Sequence, residues 1–217
     1  MKKSNIIILA SIGFIIATNM WMAVDAKNKF ESILSNENLV EENIANQLDL
    51  ETYSHIVISG ESRVNLKFNN RNTYSKINNE LAQLNIASDT LYIEENSHIN
   101  LTCINVKSIK LMNNAKLNLE EINTKYLYIS ASGESRFTGQ NQTLKKLDIY
   151  SIEDARIIIN NSNIDTTNIL ASENSRIRIN GKLEIVRGEL SGNSNLSVSG
   201  ANNTQFSKKG NATINMH

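Results

Sequence analysis

From Ile109 to Val198, apolar and polar residues alternate in short bursts, and each burst leads into the same kind of phrase. The phrases are Asn114-Ala115-Lys116-Leu117, Glu134-Ser135-Arg136-Phe137, Asp154-Ala155-Arg156-Ile157, Asn174-Ser175-Arg176-Ile177 and Asn193-Ser194-Asn195-Leu196. Each sets a small polar or acidic residue, then Ser or Ala, then a polar and usually basic residue, then a large apolar one. The apolar anchors recur about every twenty residues, a period that belongs to stacked-coil architectures. The phrase extends to Asn211-Ala212-Thr213-Ile214 and Asn96-Ser97-His98-Ile99, and after a longer gap to Glu61-Ser62-Arg63-Val64.

Inside each repeat the apolar positions have period two. Leu127, Ile129 and Ala131 share a parity with Ser135, Phe137 and Gly139 across a turn, and Leu147, Ile149, Ser151, Ala155, Ile157 and Ile159 repeat the arrangement. Period two marks strands, because successive side chains point to opposite faces. Twenty residues at ~3.3 Å give a perimeter of roughly 60 Å, which suits a coil of two or three short strands. The pattern therefore predicts an all-β, single-domain parallel β-helix of about eight short coils over residues 51–217. Right-handed coiling follows from the general handedness of parallel crossovers. Helical solenoids need longer repeats, and the Leu-x-x-Leu-x-Leu-x-x-Asn phrase of leucine-rich repeats is missing. The stretch from Asn69 to Asp89 breaks the rhythm. Ile77, Leu81 and Leu84 have helical spacing, whereas Leu84 and Ile86 fit the start of a strand; we read the stretch as a degenerate coil rather than an insertion.

Ahead of the repeats, Lys2 and Lys3 precede an uncharged run from Ile6 to Val24. A run of about 19 residues is the length of a membrane-spanning helix, while Val24-Asp25-Ala26 offers a signal-peptidase site. Residues 1–26 are thus expected to form a hydrophobic helix, either an uncleaved signal-anchor or a signal peptide. Both readings export the body, to the periplasmic side of an inner membrane or, after cleavage, to the periplasm or cell surface. Residues 27–50, with Leu39, Val40, Ile44 and Leu48 near helical spacing, are expected to be a linker or a capping helix.

Composition narrows the picture. Lys plus Arg and Asp plus Glu both number 22, so no global basic field attracts nucleic acid. Proline is absent, and Asn makes up roughly one residue in six or seven, far above its usual share. Bends built from Asn, Gly and Ser are expected, since these tolerate left-handed backbone. Cys103 is the single cysteine; it lies in an alternating apolar run, which predicts a buried, inert thiol.

No motif points to catalysis, a metal or a cofactor. His55, His98 and His217 lack partners at metal-ligand spacing, and neither a Gly-x-Ser-x-Gly elbow nor a phosphate-cradling loop occurs. Adjacent acids such as Glu120-Glu121 face opposite ways on a strand and make poor glycosidase pairs. The small residue of each phrase shares the anchor's inward parity, so Arg136, Arg156 and Arg176 point outward one above another. Three guanidiniums at one-coil spacing form a candidate binding strip for an anionic glycan or other envelope component. Alternatively they are a solvated face neutralised by Glu134, Asp154 and Glu173. Further expected partners are the membrane, through the N-terminal segment, and a second copy of the chain, through strand edges left open at the coil ends.

Three phrases together resemble the bacterial GIN-domain family, described as auto-transporter adhesin head domains: Ile56-x-Ile58-Ser59-Gly60-x-Ser62-x-Val64, Ser132-Gly133-Glu134-Ser135-Arg136-Phe137, and Leu190-Ser191-Gly192-Asn193-Ser194-Asn195-Leu196. The resemblance spans roughly Leu48 to Gly200. It implies an exported, non-catalytic, adhesin-like β-helical module with no catalytic residues to carry over. The chain departs from the pattern where Glu153, Glu173 or Asn113 stands in place of the turn glycine. A structural envelope protein without a ligand and a polysaccharide-acting β-helix enzyme are the alternative readings.

Overall fold

The computed structural model describes residues 48–77, 82–94 and 96–217. Every regular element among them is a strand: β1 (Leu48–Asp49), β2 (His55–Ile58), β3 (Arg63–Phe68), β4 (Thr73–Lys76), β5 (Gln83–Ala87), β6 (Thr90–Glu94) and β7 (His98–Cys103) come first. β8 (Ser108–Leu111), β9 (Lys116–Ala131), β10 (Arg136–Ser151), β11 (Arg156–Ala171), β12 (Arg176–Leu190), β13 (Asn195–Lys208) and β14 (Thr213–Met216) follow. Neighbouring strands from β9 to β14 pair in parallel and in register, which makes the unit from Leu48 onward a β-solenoid.

The anchors of the repeated phrase form one inward column. Ile99, Val64, Leu117, Phe137, Ile157, Ile177, Leu196 and Ile214 sit opposite one another on successive strands. All but the terminal Ile214 are buried. A single coil cannot hide these side chains, so each contributes roughly 1.5–3 kcal/mol only through its stacked neighbours.

Two bends keep the coils aligned. At the first, Gly60, Asn113, Gly133, Glu153, Glu173, Gly192 and Gly210 all have positive φ three residues before the basic position, and Asn96 has it two residues before His98. At the second, Glu121, Asn141 and Asn161 do the same. A left-handed residue at the same place in every coil turns the chain without breaking the ladder above and below it. The strands are therefore long and bent: β9, β10 and β11 each run 16 residues, in place of the two or three short strands per coil expected. They make about five turns with β12 and β13, fewer than the eight coils predicted, because three of the eight phrases open short strands (β3, β7 and β14).

Strand order departs from chain order at one end. β3 pairs with β7 on one side and β9 on the other, and β2 likewise lies between β6 and β8. The coil formed by β6 and β7 thus stacks outside the earlier coil formed by β2 and β3. The stretch read as a degenerate coil is also corrected. β4 and β5 run antiparallel along the outer edges of β7 and β6, and β1 runs antiparallel to β4. Ser88 and Asp89, both at positive φ, form the two-residue turn between β5 and β6, as a tight hairpin requires. Antiparallel strands laid on this end cover edges that would otherwise recruit other chains. Leu48–Asp49, placed in a linker or helix by the sequence, is part of this cover. The predicted N-terminal helix and the remainder of the 27–50 segment lie outside the described residues. No helix among the described residues is long and apolar enough to cross a membrane.

The small residue beside each anchor faces the core. The hydroxyls of Ser135, Ser175 and Ser194 are buried there without a hydrogen-bond partner, while Ala115, Ala155 and Ala212 fill the equivalent place. An unpaired buried hydroxyl costs about 1–3 kcal/mol of desolvation. The triple replacement Ser135→Ala, Ser175→Ala, Ser194→Ala is expected to raise stability by about 2 kcal/mol in total. Urea titration checks it; a lower midpoint in the variant would contradict the corner geometry.

Candidate functional site: a basic column on the outer wall

The backbone fixes the arginine strip before any side chain is considered. The N–H of each basic residue donates to the carbonyl of the small residue one layer away: Lys116 to Ser62 at 2.8 Å, and Arg136 to Ala115, Arg156 to Ser135 and Arg176 to Ala155 at 2.9 Å each. These bonds hold successive basic residues in direct register, Arg136 opposite Arg156 and Arg156 opposite Arg176. The three predicted residues are thus brought together on one outward column.

That column is longer than the sequence suggested. Lys116 stands opposite Arg136, Arg63 opposite Lys116, and His98 opposite Arg63. Five cations from Arg63 to Arg176 span four strand spacings, about 19 Å. The Lys116 and Arg63 phrases were visible, but stacking in chain order would have placed Ile99, not Val64, beneath Leu117. Only the strand exchange brings Arg63 next to Lys116.

The neighbouring column supplies uncharged hydrogen-bonding groups. Asn118 Nδ2 donates to Asn65 Oδ1 at 3.1 Å, and Asn65 Nδ2 donates to Asn100 Oδ1 at 3.0 Å. Between the two columns lies a groove of about 510 Å³, bordered by Arg63, Lys116, Arg136, Asn118 and Thr138.

Among the described residues none of Glu134, Asp154 and Glu173, the acids expected to neutralise the strip, forms an ion pair with it. Glu153 turns its carboxylate to the backbone N–H of Gly133 at the bend. Among the described residues none of Arg136, Arg156 and Arg176 forms an ion pair, whereas Lys67 and Glu120 pair at 2.7 Å further along the wall. Guanidiniums stacked at one-strand spacing repel one another in water only weakly, by ~1 kcal/mol or less. An anion laid along them is favoured by all of them at once.

The rest of the chemistry is quiet. Cys103 is fully buried, and burial pushes its thiol up to about 12, so it remains protonated and unreactive at neutral pH. Burial, followed by the nearby Cys103, also raises Tyr53, whose hydroxyl donates to the Thr102 carbonyl at 3.3 Å. Among the described residues no group of three His, Cys, Asp or Glu side chains is arranged to hold a metal ion.

No protein-family model matches the sequence, and no curated protein matches it. Solved structures do. The chain is similar to a putative adhesin from Bacteroides fragilis, with a TM-score of 0.59 and 15% identity over 79% of this chain and 95% of that one. It also matches a putative adhesin from Parabacteroides distasonis, with a TM-score of 0.45 and 11% identity over 79% and 95% of the two chains. A putative lipid binding protein from the same species gives 0.43 and 13% over the same shares. The first of these similarities shows that the solenoid fold is shared.

Proposed function

We propose that this protein is an exported, non-catalytic, adhesin-like module of the cell envelope that binds a polyanion along its basic column. The observation that carries the reading is the register of Arg63, Lys116, Arg136, Arg156 and Arg176 on five adjacent strands. An extended anionic polymer, such as an acidic glycan, meets one cation per strand layer, and a ladder of fixed charges selects a linear ligand over a compact one. The resemblance to GIN-domain phrases and the uncharged N-terminal run support the envelope placement. Protease shaving of whole cells tests that placement; full protection of the domain argues against display at the surface.

The binding reading is tested on heparin and on immobilised lipopolysaccharide. Wild-type protein is expected to be retained at low salt and to elute as ionic strength rises, since exposed charges are screened within about a Debye length. The double variant Arg156→Ala, Arg176→Ala is expected to lose retention on both. Unchanged retention sinks the proposal and leaves the column as a solvated face.

A further inference from the structure

A second groove, of about 930 Å³, lies on the wall that carries Tyr128, Asp148, Asn168 and Arg187. It is larger than the groove over the basic column and has a different chemistry. These four residues stand directly opposite one another on β9, β10, β11 and β12, with Gln205 next on β13. Two residues further along the same strands runs a parallel column of Tyr150, Leu170 and Glu189.

The polar groups of the first column are locked to one another. Asn168 Nδ2 donates to Asp148 Oδ1 at 2.5 Å, and Arg187 Nε donates to Asn168 Oδ1 at 2.8 Å. Lys146 Nζ lies 2.8 Å from Asp148 Oδ2, and its ammonium sits 5.4 Å from the centre of the Tyr126 ring. Burial pushes the Asp148 carboxyl up, but hydrogen bonds from Lys146, Asn168 and Tyr126, with the Lys146 charge, outweigh it and hold the group below the usual carboxylate range. Asp148 is therefore a fixed acceptor, and the free edge of Arg187 a fixed donor, at neutral pH.

Charge separates this groove from the basic column. Asp148 and Glu189 balance Lys146 and Arg187, so the groove has no net sign with which to attract a polyanion. What it offers instead is aromatic surface beside preorganised donors and acceptors. Tyr128 and Tyr150 sit on adjacent strands in adjacent columns, and both line the groove. A sugar ring has the complementary make-up: an apolar C–H face to lie on an aromatic ring, and an edge of hydroxyls that both donate and accept. The volume falls near the top of the ~300–1,000 Å³ range of ligand sites, which suits several sugar units better than one.

We propose that this groove binds a neutral oligosaccharide, with sugar rings on Tyr128 and Tyr150 and hydroxyls bonded to Asp148, Asn168 and Arg187. The site is independent of the polyanion reading, and either can fail alone.

The test uses the full chain with maltotriose, cellotriose and chitotriose at millimolar concentration, read by saturation-transfer NMR and calorimetry. At least one trisaccharide is expected to receive saturation on its ring C–H protons. Tyr128→Ala combined with Tyr150→Ala should weaken that ligand about tenfold or more. Tyr128→Phe with Tyr150→Phe, which keeps both rings, should bind within about threefold of wild type, and Asn168→Ala should weaken binding without removing a ring. Arg156→Ala with Arg176→Ala should leave sugar binding unchanged. The proposal is overturned if none of the three sugars receives saturation, if the double alanine variant binds like wild type, or if the arginine variant loses the sugar equally.

Discussion

Replacing Phe137 by Ala is expected to cost about 3–5 kcal/mol, the range for deleting a buried aromatic side chain. Phe137 is wholly buried in the middle of the anchor column, between Leu117 and Ile157. Its ring fills the space left by Gly139, where an added Cβ would lie 3.0 Å from Phe137 Cε1. The neighbours on either side belong to backbone ladders that continue above and below, so they cannot collapse into the vacated volume. Phe137→Leu should lose much less, because part of the volume remains. Denaturant unfolding of both variants checks the ranking. Equal stability of Phe137→Ala and wild type would show that the anchors are not a shared core.

Gly181→Ala is the second substitution with a large expected effect, about 3 kcal/mol, the upper end of what overpacking costs. Its cause is close contact of main chain with main chain. A Cβ on Gly181 would lie 2.0 Å from the Ser162 carbonyl oxygen and 2.6 Å from the Ser162 nitrogen. The bend is tight because β12 skips a residue there, passing from Ile159 opposite Ile179 to Ser162 opposite Gly181. Strand length falls accordingly, from 16 residues in β11 to 15 in β12 and 14 in β13. Gly139→Ala is the useful comparison, since its nearest contact is the Phe137 ring at 3.0 Å, a side chain that need give by only a few tenths of an ångström, rather than main chain at 2.0 Å. Thermal unfolding should separate the two glycines; similar midpoints would refute the backbone-contact argument.

The regular coils were legible because their period and parity are written in the residues. Phe137, Ile157 and Ile177 are in mutual register, as twenty-residue spacing predicts. The arginine strip was legible for the same reason, as it follows once the anchors face inward. The first three layers were not. Their order depends on which edge of β3 accepts β7 and which accepts β9, and a local pattern does not encode that choice. β4 and β5 were hidden by their composition: Thr73, Ser75 and Lys76 give little apolar alternation, and Ile77 with Leu84 falls at helical spacing by coincidence. The aromatic groove lay outside the repeated phrase altogether. Its residues vary from coil to coil at one outward position, Tyr128, Asp148, Asn168 and Arg187, and such variation reads as noise until stacking makes it a column.

The exchanged layers also set a timetable for the emerging polypeptide. From Arg136 onward each layer docks on residues only about twenty positions earlier, so growth can proceed one increment at a time. Val64 has no such convenience: its two flanking partners are Ile99 and Leu117, 35 and 53 residues downstream. Such distant pairings carry a large closure entropy and form slowly. β3 thus waits for its first flank until Cys103 has been delivered, and for its second until Glu120 has.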